Sequence, residues 1–415
     1  MTQEKNSQFN RLYIANQGKT SYMDEIRWLA SAMRRKKNIA LQGEPGNGKS
    51  SAIRFVADIF DRTVFARTCH IHEQEFDYQG RPAFSNGTTF YSDTELTSAL
   101  RNKSAIFLNE ESSEMPPHSQ KSLSMLLTGD FLDFTVLDKQ GNKVTLREMK
   151  DKHGWDVEDF VYAETFNPKR TTSGRDNFEF SHKSRCSPSI FNDIDSFLGA
   201  YVAFKTMGID IDLPLEERGI IYEPKRDLLM YLEKNDSGNW MNIANKEVIR
   251  EVGKLATYQY FNRENVKHDS DAWKKVKEQI EGQGDFYLSY LKFLTALRGV
   301  VNIKNITSGP DSLYQTISSE VRSEHTPEGN GISLVYPDQR TIEVGFQTYK
   351  DNLELFGDSE RATHATTYEI LDKLLHGALA DKMISSTGTN QWSHLAAIAT
   401  SYDLIPKPKD ATQGV

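Results

Sequence analysis

One stretch restricts the fold more than any other: NIALQGEPGNGKSSAIRFVADIF, Asn38 to Phe60. A short apolar run, Ile39 to Leu41, leads into Gly43-Glu-Pro-Gly-Asn-Gly-Lys-Ser50. Behind it, Ile53, Val56, Ala57 and Phe60 recur with helical spacing on one face. A G-x-x-x-x-G-K-S loop between a strand and a helix is a phosphate cradle. Its glycines let backbone N–H groups close around phosphate oxygens, and the helix N-terminus adds the positive end of its dipole. Lys49 can reach the β and γ phosphates, and the Ser50 hydroxyl can ligate Mg2+. Gly43, Gly46, Asn47, Gly48, Lys49, Ser50 and Ser51 are therefore the candidate nucleotide-binding residues, with a nucleoside triphosphate and Mg2+ as the expected ligands.

Such a loop needs a second strand whose end carries acidic groups toward the metal and the attacking water. SAIFLNEESSEMPP, Ser104 to Pro117, supplies an apolar run (Ala105 to Leu108) followed by Asn109, Glu110 and Glu111. The same carboxylates would also suit the first turn of a helix. Upstream of the loop, Ile26, Leu29, Ala30 and Met33 mark the buried stripe of a helix over Ser21 to Arg34. Its basic end, Arg34 to Lys37, reads as a solvated terminus. Phe160 to Ala163 predicts a third buried strand, ending ETFNP.

The span from about Ile14 to Pro188 resembles the AAA+ ATPases of the MoxR branch. LQGEPGNGKS resembles that family's phosphate loop. LTSALRNKSAIFLNEE resembles its L-x-x-A-L helix and Walker B strand, MPPHSQKSLSMLL its Pro-Pro and Gln-x-x-L helix, and FVYAETFNP its sensor strand. The resemblance implies an α/β P-loop core with a parallel sheet and inserted β-hairpins. A mostly helical lid and a small C-terminal α+β region would follow. The expected bounds are 1–195, 196–324 and 325–415. The family spells the Walker B end Asp-Glu, and this chain departs from it. Matched forward from LTSALRNKSAIFL, Asn109 takes the Asp place and Glu110 the catalytic Glu. Matched backward from Pro116-Pro117, Glu110 and Glu111 take them. The apolar run ending at Leu108 favours the first register, which makes Ser50, Asn109 and Glu110 the candidate metal residues. Glu110 belongs to the machinery in either. The resemblance further makes Asn167 the sensor of the γ-phosphate. It makes Arg185 an arginine reaching the neighbouring subunit's nucleotide, with Arg170, Arg175 and Lys183 as competitors. It implies a homo-oligomeric ring, usually a hexamer, acting on a protein partner. Arg298 in LTALRGV could supply a second sensor, but its apolar neighbours make a core-edge helix the default reading.

Two segments predict β-hairpins, GRPAFSNGTTF turning at Asn86-Gly87 and DFLDFTVLDKQGNKVTLREM turning around Gly141. Either a gripping element or a plain surface hairpin fits them. His70 and His72 in TCHIH give two converging ligands, fewer than the three or four of a zinc site, so a strand end is the expectation. After about Asp195 the chain reads as helical, including RDLLMYLE and EVIREVGKLATYQYF. Short strands are expected near ISLVY and TIEVGF, a helix near Thr366 to Leu379, and a loose tail from LIPKPKD.

Composition narrows the alternatives. A net charge of −8 argues against a general nucleic-acid coat, though a nucleic-acid-directed NTPase motor stays open beside a low-turnover nucleotide switch. The two cysteines, Cys69 and Cys186, suit a reducing compartment. The polar N-terminus and the lack of a spanning apolar run predict a cytoplasmic protein.

Overall fold

The computed structural model describes residues 13–15, 18–20, 23–43, 46–85, 87–128, 130–155, 157–167, 185–191, 196–212, 215–223, 228–234, 240–242, 256–261, 271–301, 339–374 and 391–406. The chain divides into two compact units: 1–43 with 48–193 and 215–261, and 44–47 with 194–214 and 262–415.

The first unit is built on a parallel sheet. Its strands are β1 (Ile39–Gly43), β2 (Thr63–Thr68), β3 (Ala105–Glu110), β4 (Val161–Phe166) and β5 (Ser187–Phe191). They lie in the order β5-β1-β4-β3-β2, so the phosphate-loop strand and the acidic strand flank β4. Buried parallel strands read as continuous apolar runs, and AIFL and VYA are such runs. Helices α1 (Glu25–Arg34) and α2 (Lys49–Ile59) cover one face. Ile26, Leu29, Ala30 and Met33 of α1 are fully buried there, as the helical stripe predicts. Arg34 to Lys37 are exposed. The other face packs Tyr78, Leu96, Leu100, Leu123, Phe134, Leu146 and Trp155 against Phe107 and Tyr162.

Both expected hairpins form. Arg81–Ser85 pairs antiparallel with Thr88–Ser92, and Thr135–Leu137 with Lys143–Thr145. They also meet each other. The Tyr91 N–H donates to the Lys139 carbonyl at 3.1 Å. The Tyr91 ring lies so close to Gly141 (φ 86°) that a Cβ there would come within 2.3 Å of it. Phe84, beside the first turn, is 74% exposed.

Two helical expectations fail. The described part of RDLLMYLE lies in the strand Leu228–Lys234, and that of EVIREVGKLATYQYF is the strand Ala256–Phe261. Both join Leu215–Glu223, Trp240–Asn242 and Tyr13–Ala15 in a second sheet within the first unit. The aromatic and aliphatic residues of these segments suit a pleated surface as well as a helix face, and pairing of both with Leu215–Glu223 decided between them.

In the second unit the described elements are helices: Ser196–Thr206, Asp271–Gly282, Asp285–Val301, Gln339–Phe356, Ser359–Leu374 and Gln391–Ser401. Phe204, Phe286, Tyr287, Tyr290, Phe346 and Tyr349 pack ring against ring at its centre. TIEVGF, expected as a strand, lies inside Gln339–Phe356. Ile342, Phe346 and Tyr349 fall on one helical face there, and Gly345 admits the Tyr290 ring. ISLVY lies outside the described residues. The tail is packed at its start, where Leu404 and Ile405 are buried.

The lower edge of the parallel sheet is fastened by Asp159. It accepts from Arg62 Nη2 at 2.8 Å and Ser104 Oγ at 2.6 Å, and pairs with Lys36 at 3.5 Å. Burial pushes the Asp159 carboxyl up, but the Ser104 hydroxyl and Arg62 guanidinium outweigh it, and the net shift is downward. A carboxyl depressed in the folded state stabilises above its unfolded pKa, and that stability is lost as pH falls through the folded value. Asp159→Asn is expected to cost about 1–3 kcal/mol at neutral pH. The gap in urea midpoints from wild type should be full at pH 7 and narrow as pH falls below the unfolded carboxylate value.

Candidate nucleotide-binding site

Strand parity sorts the residues at the upper rim of the sheet. On β3, Ile106 and Leu108 face α1 and α2, while Ala105 and Phe107 face away. Continuing the alternation puts Glu110 on the α2 face and Asn109 on the other. On β4, Val161 and Ala163 face α2, Tyr162 and Phe166 face away, and Asn167 follows on the α2 side.

The phosphate loop leaves β1 at Gly43 and enters α2 through Gly46 and Gly48, whose φ values of 71° and 84° favour glycine. Gly48 caps α2, its carbonyl accepting from the Ala52 N–H at 2.8 Å. Lys49 is the first helical residue. Its ammonium turns back and donates to the Gly43 carbonyl at 2.7 Å and to Asn167 Oδ1 at 3.2 Å. The fold thus joins the loop and Asn167 through one cation. Glu110 meets Arg54 of α2 at 3.4 Å. Ser50 stands four residues before Arg54, on the same face of α2 and one turn nearer the loop.

Asn109 goes elsewhere. It is fully buried, and its Nδ2 donates to Tyr162 Oη at 3.4 Å. Tyr162 Oη in turn donates to Glu164 Oε2 at 2.9 Å, and Glu164 is also fully buried. Asn109 Oδ1 has no hydrogen-bond partner among the described residues. The forward register drew Asn109 toward the metal because it follows the apolar run. In the fold that residue continues the buried face away from α2, and the acidic residues on the loop side begin at Glu110. Glu111 follows with φ 56°, exposed, at the head of a short 3-10 turn.

The face away from α2 holds a polar cluster that sequence reasoning missed. Arg67 Nη2 donates to Glu73 Oε1 at 2.6 Å, Tyr78 Oη donates to Glu73 Oε2, and the Arg67 guanidinium lies 4.5 Å from the Tyr78 ring centroid. Burial, then the Glu73 charge, pushes the Cys69 thiol up; burial, then Glu164, does the same to Cys186. Both cysteines stay protonated at neutral pH. β2 ends at Thr68, so His70 and His72 sit in an exposed turn, with the His72 N–H on His70 Nδ1. Among the described residues no three His, Cys, Asp or Glu side chains converge on a metal position.

Arg185 lies apart from the loop of its own chain. β5 starts two residues later and pairs Ser187 with Ile39 and Phe191 with Gly43, in parallel. Arg185 therefore sits beyond the start of β1, about 13 Å or more along the sheet from the loop, at about 3.3 Å per residue. Its carbonyl accepts from Asn38 Nδ2 at 3.2 Å. Arg170, Arg175 and Lys183 lie outside the described residues. Arg298 lies on Asp285–Val301, its side chain outside the description.

Ser50 and Glu110 offer a hydroxyl and a carboxylate from one face of the site. That oxygen set fits Mg2+, which takes one or two protein ligands and completes its shell with phosphates and water. Residues 38–142 match the family model described as AAA domain (dynein-related subfamily). That segment carries an AAA domain. It spans the loop, Asn109, Glu110 and both hairpins. No curated protein sequence matches the chain. Among solved structures, the chain is similar to a Cytophaga hutchinsonii protein described as a candidate ATPase, at 15% identity and TM-score 0.35. The match covers 48% of this chain and 53% of that one. It is also similar to Hsp104 in its closed state with ATPγS and FITC casein, at 16% identity and TM-score 0.32. That match covers 41% of this chain and 31% of that one. The chain thus spans about half or less of either structure.

The placement of Asn109 makes a measurable claim. Asn109→Ala should destabilise the protein by about 1–3 kcal/mol through the lost buried hydrogen bond. Mg2+-dependent nucleotide affinity should stay within about twofold of wild type. A large loss of Mg2+ dependence in nucleotide-binding titrations would return Asn109 to the metal.

Proposed function

We propose that the chain is an ATP-binding and ATP-hydrolysing remodelling ATPase. It would work as a MoxR-like homo-oligomeric ring, in the family usually a hexamer, on a protein partner. The observation that carries the first part is the Lys49 contact. One ammonium bridges Gly43 of the loop and Asn167 of the sensor strand, on the face that also bears Glu110. A γ-phosphate arriving there would take Lys49 from the Gly43 carbonyl and leave Asn167 to orient water. Bound Mg2+ would neutralise charge on the phosphates as it is transferred. Ser50 and Glu110 would hold it, and Glu111, next along the rim, or Glu110 itself would polarise the attacking water. Gly43, Gly46, Asn47, Gly48 and Ser51 would present backbone N–H groups to the phosphates.

The AAA domain match supports ATP as the nucleotide. The distance of Arg185 from its own loop supports a role on a second copy, the arrangement the sequence resemblance implies. The joined hairpins, with Phe84 exposed beside a turn, support contact with a protein partner. A low-turnover switch is the second reading, favoured by the ion pair that occupies Glu110. No helix among the described residues is long and apolar enough to cross a membrane.

Lys49→Ala is expected to abolish nucleotide binding in equilibrium titrations. Glu110→Gln should retain metal-free nucleotide binding and lose about 100-fold or more in phosphate release. Wild-type turnover in that variant would sink the assignment. For the ring, Arg185→Ala and Lys49→Ala proteins are mixed. Partial recovery of hydrolysis is expected at junctions pairing an intact loop with an intact arginine, and no recovery would make Arg185 a local structural residue.

A further inference from the structure

Arg54 is the charged group in direct contact with Glu110 that the mechanism leaves unused. Its guanidinium reaches from α2 across to the end of β3, 3.4 Å from Glu110 Oε1. Its position on α2 gives the contact meaning. Ser50 and Arg54 are four residues apart, hence stacked on one helical face about 6 Å apart along the axis. Glu110 thus lies between two claims from the same helix. A divalent cation held at the Ser50 hydroxyl would draw its carboxylate toward the loop. The Arg54 guanidinium draws the same oxygens one turn deeper. Both side chains are partly exposed, at 36% for Arg54 and 24% for Glu110, so the pair can open without leaving a buried charge unpaired.

We propose that Arg54 is a built-in competitor of the divalent cation for Glu110, raising the metal concentration at which the site loads. This rests on the reading of Glu110 as the metal-side carboxylate. In the metal-free site Arg54 neutralises Glu110 and holds it off the phosphates. Loading is then an exchange of one cation for another, and its threshold is set by the strength of a partly exposed ion pair. Any contact that engages Arg54 lowers that threshold.

The test is a Mn2+ titration of the full chain with AMP-PNP, read by electron paramagnetic resonance of free Mn2+. The proteins are wild type, Arg54→Met, Arg54→Lys, Glu110→Gln and the Arg54→Met/Glu110→Gln double variant. Metal-free AMP-PNP affinity is measured alongside. Arg54→Met is expected to bind Mn2+ about two- to fivefold tighter, the size a partly exposed ion pair supports. Arg54→Lys should stay near wild type, because it keeps a cation beside Glu110. The gain should vanish in the Glu110→Gln background. An unchanged or weaker Mn2+ affinity in Arg54→Met overturns the proposal. So does an equal gain in the Glu110→Gln background, which would assign the effect to net charge. If wild type binds metal-free AMP-PNP yet shows no Arg54 effect, this proposal alone falls. If wild type binds no AMP-PNP, the nucleotide reading falls and takes it along.

Discussion

The site turns on where one ammonium is allowed to go. Lys49 starts α2, so its backbone is fixed by the helix and its side chain can only swing over the strand ends. There it finds the Gly43 carbonyl and Asn167 Oδ1. That contact requires β1 and β4 to be neighbours, in register, with their carboxyl ends level. The parallel pairing of Ala163 to Phe166 with Ile39 to Gln42 provides it. The rest of the first unit serves this alignment. α1 and α2 cover one face, and Asp159 fastens the lower edge through Arg62, Ser104 and Lys36.

Alternation along β3 and β4 then divides the polar groups into two sets. On the α2 side stand Lys49, which is buried, and Arg54, Glu110 and Asn167, which are partly exposed. On the far side stand Arg67, Glu73, Tyr78, Asn109, Tyr162 and Glu164, buried and bonded among themselves. A carboxylate at position 109 would face the Tyr162–Glu164 pair as a second buried acceptor. An amide can donate to Tyr162 instead, which is a physical reason for asparagine there. The departure from Asp-Glu still leaves two carboxylates, Glu110 and Glu111, next along the chain.

Much of this was legible in the residues. The loop, α2, the strands ending at Glu110 and Phe166, and both hairpins follow from apolar runs, glycine positions and turn residues. Arg54 could have been noticed too, because its i,i+4 spacing from Ser50 is written in the chain. The segments around 228–234 and 256–261 were misread as helices. LLMYLEK and ATYQYF can bury one side in either form, and their strand state depends on Leu215–Glu223 lying between them. TIEVGF failed the other way. Its β-branched residues suit a strand, but Ile342, Phe346 and Tyr349 fit a helix face packed on the aromatic cluster.

The sequence alone determined that the chain holds a phosphate cradle followed by an acidic strand end. Those properties reside in contiguous residues whose spacing the backbone itself reads. Tertiary structure alone decided which acid faces the cradle. A side chain's face depends on where its strand enters the sheet, and a one-residue slip reverses it. It also decided that Arg185 stands at the far end of the sheet from its own loop, and that Arg54 of α2 pairs with Glu110. These are relations between residues distant in the chain, fixed by packing rather than by spelling.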